Sequence, residues 1–142
     1  MTSKNAVQQF DISIVGGGMV GAAIALALSQ AGLQVALVEK QAPPEFAPDS
    51  APDLRVSSIN LASEAWLTQL GAWQALAQMR LCPYQRLQAF EQPHSIVSFN
   101  AADIKRRHLG HIVENNLLQL ALWQQFGANL TLFCPSSVTA LE

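Results

Sequence analysis

Residues 10–40 read FDISIVGGGMVGAAIALALSQAGLQVALVEK, and the order of residue types predicts a strand, a glycine turn, a helix and a second strand. Phe10 to Val15 is an apolar run of strand length carrying the β-branched Ile12, Ile14 and Val15. Gly16, Gly18 and Gly21 follow at G-x-G-x-x-G spacing. A helix rich in alanine and leucine should run to about Ala31, with Gly32 breaking it. Val35 to Val38 is the second apolar strand, with Glu39 at its end.

Each residue type has a physical use if the ligand is a dinucleotide. Gly16 lets the chain turn sharply out of the strand, Gly18 lets a pyrophosphate approach the backbone, and Gly21 lets the helix lie close to the sheet. The first helical N–H groups, at Met19, Val20 and Gly21, then point at the phosphates, and the helix dipole favours their charge. Glu39, followed by Lys40, stands where a carboxylate can accept hydrogen bonds from the ribose hydroxyls of an adenosine. A 2′-phosphate would be repelled there. The glycine spacing alone is a weak signal, but strand, helix, Ala25, Gly32 and the terminal acid all fall in place around it. The motif does not separate FAD from NAD.

Composition narrows the classes. The 142 residues suffice for one domain with a real core. Half are hydrophobic and 13% are charged, which suits buried parallel strands. A net charge of −2 gives nucleic-acid binding no electrostatic footprint. Cys82 and Cys134 have no C-x-x-C spacing, so free thiols in a reducing compartment are expected, not a disulfide framework or zinc site. Ile12 to Val38 is uncharged and long enough to suggest a membrane span, but its glycines and Ser29, Gln30 and Gln34 argue for strand–helix–strand. The opening MTSKNAVQQFD lacks an apolar signal core, so a cytoplasmic protein is expected.

Beyond Lys40 the pattern changes. Gln41 to Asp53 holds Pro43, Pro44, Pro48 and Pro52 and should be a surface loop. Helices are expected over about Leu61 to Leu70, ended by Gly71, and over Trp73 to Met79. Arg86 to Phe90 and Ile96 to Phe99 alternate like strands around the turn signal Gln92-Pro93-His94. Asn115 or Asn116 should cap a helix running to about Phe126, with Leu118, Leu122 and Phe126 on one face and Gly127 at its end. Leu130 to Phe133 reads as a third parallel strand, and Val138 to Leu141 as another strand.

Several residues invite a role and a plainer reading competes with each. Arg55, after the proline-rich loop, could lie along a phosphate; spacing alone favours a surface arginine. His108, His111 and Glu114, three apart, would align metal ligands on a helix, but Gly110, Ile112 and Val113 disfavour one, so local loop packing is preferred and no metal site is expected. Lys105-Arg106-Arg107 reads as a solvated face more than a lipid contact. Trp66, Trp73 and Trp123 read as core or interface packing. Ser57 and Ser58 lack a G-x-S-x-G setting, so a hydrolase triad is not supported.

Read together, GGGMVG at 16–21, VEK at 38–40, DLRVSSINLASEAWLTQLGAW at 53–73, PYQRL at 83–87 and LGHIVEN at 109–115 resemble the FAD-dependent hydroxylases of ubiquinone biosynthesis, a branch of the class A aromatic monooxygenases. The resemblance implies an α/β fold: a Rossmann-like FAD-binding βαβ unit with a parallel sheet, plus, at about 84–108, the start of an antiparallel substrate-domain excursion. It implies that Gly16, Gly18 and Gly21 hold the FAD pyrophosphate and Glu39 the adenosine ribose. It turns Arg55 from a surface residue into one reaching the FAD phosphate region, and sets Asn115 beside the ribityl and phosphate portion. Val138 would pass the adenine through backbone atoms. Arg55 and Asn115 are thereby expected to converge on the cofactor held by the glycine turn.

The implied chemistry uses FAD, with NAD(P)H as reductant and O2 as oxygen donor, to hydroxylate a polyprenylated quinol ring. Because such a substrate lives in the bilayer, peripheral work at the inner membrane face or within a complex is implied. Family members are much longer, so the chain is expected to be the N-terminal portion, holding the ADP half of the site and inactive alone. Two rivals are an FAD-dependent oxidase of another class, disfavoured by RVSSIN and LGHIVEN, and a non-catalytic dinucleotide-binding domain.

Overall fold

The computed structural model describes residues 7–92 and 95–140. Along the chain the elements are β1 (Ile12–Val15), α1 (Met19–Gln30), β2 (Val35–Val38), β3 (Val56–Asn60), α2 (Leu61–Gln69), α3 (Ala72–Met79), β4 (Cys82–Tyr84), β5 (Arg86–Gln92), β6 (Ser95–Asn100), a 3-10 turn (Ala101–Ile104), β7 (Gly110–Glu114), α4 (Asn115–Trp123) and β8 (Leu130–Phe133). They fall into two compact units. One takes the chain up to Ala42 and from Phe126 onward; the other is Pro43–Gln125.

The first unit is a parallel sheet in the order β1-β2-β8 with α1 packed on it. Ile12 to Val15 of β1 pair in register with Val35 to Val38 of β2, which pair in turn with Leu130 to Phe133 of β8. The central β2 is covered over most of its length: Val35, Ala36 and Leu37 are buried and Val38, at the cavity, is partly so. A strand covered on both faces must be apolar without alternation, which is how VALV reads. Ala25, Val35, Leu37 and Leu130 form the core, joined by Ile14, Leu28 and Phe126. The buried Ala22, Ala23 and Ala25 keep α1 close to the sheet. The helix ends as expected. Gly32 takes φ +95°, its N–H donates to Ser29 O, and Leu33 N–H donates to Leu28 O, a left-handed close that only glycine enters cheaply.

In the second unit, β3, β7 and β4 form an antiparallel sheet in the order β3-β7-β4. Asn60 caps α2, its Oδ1 accepting from Ser63 N at 2.9 Å. Leu67, Leu70, Leu76, Val113, Leu117, Leu118 and Leu122 are buried where α2, α3 and α4 meet the sheet. Strands β5 and β6 form a separate antiparallel ribbon with a register shift between Phe90 and Gln92.

Some expectations are corrected. The α4 helix stops at Trp123, short of Phe126, and its N-cap is Glu114, with no side-chain cap bond. Asn115 does not cap because its Oδ1 is engaged by Ser57 Oγ at 2.7 Å. Residues 138–140 form no strand. Leu141 and the turn residues Pro93 and His94 lie outside the described residues. Trp66 is 42% exposed, so it is not a core residue. Three strands carry weak sequence signals: β3 is half polar, β4 is three residues around a proline, and β7 has only Ile112 and Val113 as β-branched residues.

Candidate functional site

The first unit presents a cavity of about 240 Å³ at the C-terminal ends of its parallel strands. Val15, Gly16, Val38, Glu39, Lys40, Ser136, Ser137 and Val138 line it. Strand C-termini are where open α/β sheets place ligands, because the following turns converge there. Main-chain bonds fix the floor: Gly16 N–H donates to Val38 O, Glu39 N–H to Phe133 O, and Ser136 N–H to Glu39 O.

The glycines divide their work. Gly16 sits at φ +100°, where an L side chain is strained. A Cβ on Gly21 would lie 1.9 Å from Gly16 O, so the turn can close onto the helix only if position 21 has no side chain. Gly18 has an ordinary φ of −63°, and a Cβ there would meet nothing within 4 Å. Among the described residues no packing contact requires a bare Cα at position 18, and the space beside it is open.

The helix start is chemically open. Gly18 is the N-cap and offers no side-chain acceptor, and the first turn of α1 has no acidic residue. The first intrahelical bond is Ala22 N–H to Gly18 O. The N–H groups of Met19, Val20 and Gly21 thus precede the helical ladder, in the arrangement that binds phosphate.

Glu39 ties the end of β2 to the glycine turn. Its Oε2 accepts from Gly17 N at 2.5 Å, and its Oε1 from Lys40 N at 2.6 Å and Gln41 N at 3.1 Å. The bonds from Gln41 and Gly17 hold the Glu39 carboxyl below its ordinary range, against the opposing effect of partial burial. A carboxylate has about four lone-pair sites. Among the described residues three are used, two on Oε1 and one on Oε2, so that Oε2 has room for a further donor.

A carboxylate whose folded pKa is depressed stabilises the fold at pH above its unfolded value, about 4.3, and loses that contribution as pH falls through the folded value. The thermal midpoint of this unit should therefore fall below about pH 4.3. Glu39→Gln should flatten that part of the profile measured by circular dichroism, and an unchanged acid limb would refute the assignment.

Arg55 and Asn115 lie in the second unit. Asn115 N–H donates to Arg55 O at 3.0 Å, so the β3–β7 pairing holds the two residues together. Arg55 is exposed. The loop before it is held by a network the sequence reading missed. Arg80 Nη1 meets Glu114 Oε1 at 3.1 Å, Glu114 Oε2 accepts from Asp53 N at 2.8 Å, and Asp53 Oδ2 accepts from Asn116 Nδ2 at 2.5 Å. Arg80 Nη2 also donates to Ser50 O at 2.9 Å, and its guanidinium lies 5.6 Å from the Phe46 ring centroid. One arginine thus anchors the proline-rich loop at two points.

Arg80→Met should destabilise the protein by on the order of 1–3 kcal/mol, because it strands the mostly buried Glu114 carboxylate. Limited proteolysis should then cut within 43–53. Intact protection of that loop in the variant would show that the arginine does not hold it.

Glu114 is therefore not beside the histidines. Their acid is Glu64 of α2, which lies 3.0 Å from His108 Nε2 and 3.2 Å from His111 Nδ1, both measured to Oε2. Burial pushes the His111 pKa down, partly opposed by Glu64. Trp73 packs edge-on against His111, with ring centroids 5.1 Å apart. Ser136 and Ser137 were also missed as cavity residues; they follow β8, and only the β2–β8 pairing brings them to Glu39.

Residues 11–51 match the family model of FAD dependent oxidoreductases. Over 137 residues, 95% of this chain, the sequence is 47% identical to the 3-demethoxyubiquinol 3-hydroxylase of Escherichia coli (strain K12), covering 35% of that protein. It is 36% identical over 132 residues to the mitochondrial ubiquinone biosynthesis monooxygenase COQ6 of Danio rerio, covering 87% of this chain and 26% of the relative. The chain thus spans between about a quarter and a third of the length of these relatives. Among solved structures, a mutant of P. aeruginosa PqsL superposes with a TM-score of 0.66 over 89% of this chain and 33% of the other, at 17% identity, a likeness of fold alone. The alignment with the ubiquinone hydroxylases includes the glycine turn and runs on through most of the second unit, and over that length the chain is similar in sequence to the FAD-dependent hydroxylases of ubiquinone biosynthesis.

Proposed function

We propose that this chain holds the ADP half of FAD and serves an enzyme that hydroxylates a polyprenylated benzoquinol or phenol ring in ubiquinone biosynthesis, using NAD(P)H and O2. The observation that carries the reading is the open start of α1 beside a carboxylate with one lone pair to spare. The N–H groups of Met19, Val20 and Gly21 would bind the pyrophosphate, with Gly18 leaving it room. Glu39 Oε2 would accept from the adenosine ribose. Val138 would border the adenine, and Lys40 the cavity mouth. Arg55 and Asn115 would serve the phosphate and ribityl portion, held together by the β3–β7 pairing.

FAD when bound supplies what side chains lack: reductive activation of O2, with one oxygen atom entering the ring and the other leaving as water. The residues of this chain bind and orient. The ribbon at 84–108 is read as the beginning of the substrate-side excursion. No described helix is long and apolar enough to cross a membrane. Access to a bilayer-dissolved quinol is accordingly proposed to be peripheral, from the cytoplasmic face.

Titration with FAD, followed by flavin fluorescence, tests the grip; saturable binding is expected. The wider reading is tested in a protein of the relatives' length by NAD(P)H oxidation with a short-chain prenylated quinol and mass spectrometry of the product. NAD(P)H use that the quinol does not stimulate, with no oxygen added to the ring, would overturn it.

A further inference from the structure

The second unit contains a group of side chains that the FAD reading does not use. Glu64 lies in the first turn of α2, His111 on β7, and His108 just before that strand. Glu64 Oε2 is 3.0 Å from His108 Nε2 and 3.2 Å from His111 Nδ1, and one donor atom from each residue lies within 4.8 Å of the others. The two imidazole rings are 4.4 Å apart, centroid to centroid, with a tilt of 59°.

Two features separate this group from an ordinary hydrogen-bonded cluster. His111 is more than nine-tenths buried, and its Nδ1 makes no hydrogen bond among the described residues. The 3.2 Å approach to Glu64 brings the atoms close without aligning a bond. A buried ring nitrogen left this way calls for an explanation, and an ion or ordered water is the usual one. The donor set is the second feature. Two imidazole nitrogens and one carboxylate oxygen match the His₂Glu ligand sets that take zinc with a fourth position open to water. Zinc–ligand bonds of about 2.0–2.1 Å place tetrahedral donors about 3.3 Å apart, and both Glu64 contacts are already close to that separation.

We propose that Glu64, His108 and His111 bind one divalent cation of the zinc class. The ion takes His108 through Nε2, His111 through Nδ1 and Glu64 through Oε2, and fastens α2 to β7. His111 Nδ1 gains a partner, and the Trp73 ring forms an apolar wall on one side. The site is a fastening of the fold and takes no part in the flavin chemistry.

Intact, tag-free protein stripped with a chelator should bind one equivalent of Zn²⁺ by calorimetry, with a dissociation constant in the micromolar range or below. Zn²⁺ should raise its thermal midpoint, and Co²⁺ should give the visible absorption of a four-coordinate site. His111→Asn tests the buried ligand but can impair folding. The half-buried His108→Ala and Glu64→Gln therefore decide the question: each should weaken Zn²⁺ at least tenfold while the metal-free protein keeps its far-ultraviolet circular dichroism. Absence of saturable binding would overturn the proposal. So would His108→Ala and Glu64→Gln variants that bind Zn²⁺ as the parent does.

Discussion

Gly21→Ala should unfold the βαβ unit, whereas Gly18→Ala should leave it folded and cost it FAD. The two glycines belong to one motif but answer to different neighbours. At position 21 a methyl would sit 1.9 Å from Gly16 O and 3.1 Å from Gly16 C, both backbone atoms of a turn that already runs at φ +100°. No side chain can swing away to relieve it. The cost should reach at least about 3 kcal/mol, the top of the ordinary overpacking range. At position 18 the methyl meets nothing within 4 Å, and φ −63° suits any residue. Losing glycine at an N-cap should shift stability by no more than about 1 kcal/mol. A methyl there would occupy the space assigned to the pyrophosphate, so FAD affinity should fall at least tenfold, about 1.4 kcal/mol. Thermal unfolding and FAD titration of both variants check this. Equal loss of stability in the two would show that Gly18 is structural and does not make room for a phosphate.

Glu39→Ala should weaken FAD binding by roughly 10- to 100-fold, the loss of charge-assisted hydrogen bonds worth about 1.5–3 kcal/mol. ADP, which carries the adenosine ribose without the flavin, should lose affinity in parallel. The substitution also removes the acceptor from the partly buried Gly17 N–H, so a stability loss of about 1 kcal/mol should accompany it. Water can replace the carboxylate at the exposed Lys40 and Gln41 N–H groups. Glu39→Gln separates the effects, because the amide has one acceptor oxygen and must turn its NH₂ toward N–H donors or toward the ribose. Its affinity should fall between parent and Ala. Loss of stability with unchanged FAD affinity would make Glu39 a fastener of the turn and nothing more.

Much of the first unit was legible from its residues. Val35 to Leu37 are apolar without alternation because the strand between two others is buried at all three positions. Gly32 ended α1 where expected, since only glycine enters φ +95° cheaply. The second unit was less legible. Asn115 looks like a helix cap by residue type, but Ser57 claims its side-chain oxygen, and nothing near Asn115 in the chain announces that. Pro83 conceals β4, an edge strand of three residues. Glu114 is the histidines' neighbour in sequence, but Arg80 and Asp53 take it, and α2 brings Glu64 to them instead.

Sequence by itself determined the glycine turn, the open start of α1 and the acid at the end of β2. These rest on backbone sterics and helix termini, which act within a few residues of their cause. Tertiary structure alone decided which carboxylate His108, His111 and Arg80 meet, that Glu39 Oε2 reaches Gly17 N, and that Ser136 and Ser137 reach its cavity. Those pairings join residues far apart in the chain. Strand register and helix packing select them, and the identity of a side chain does not name its distant partner.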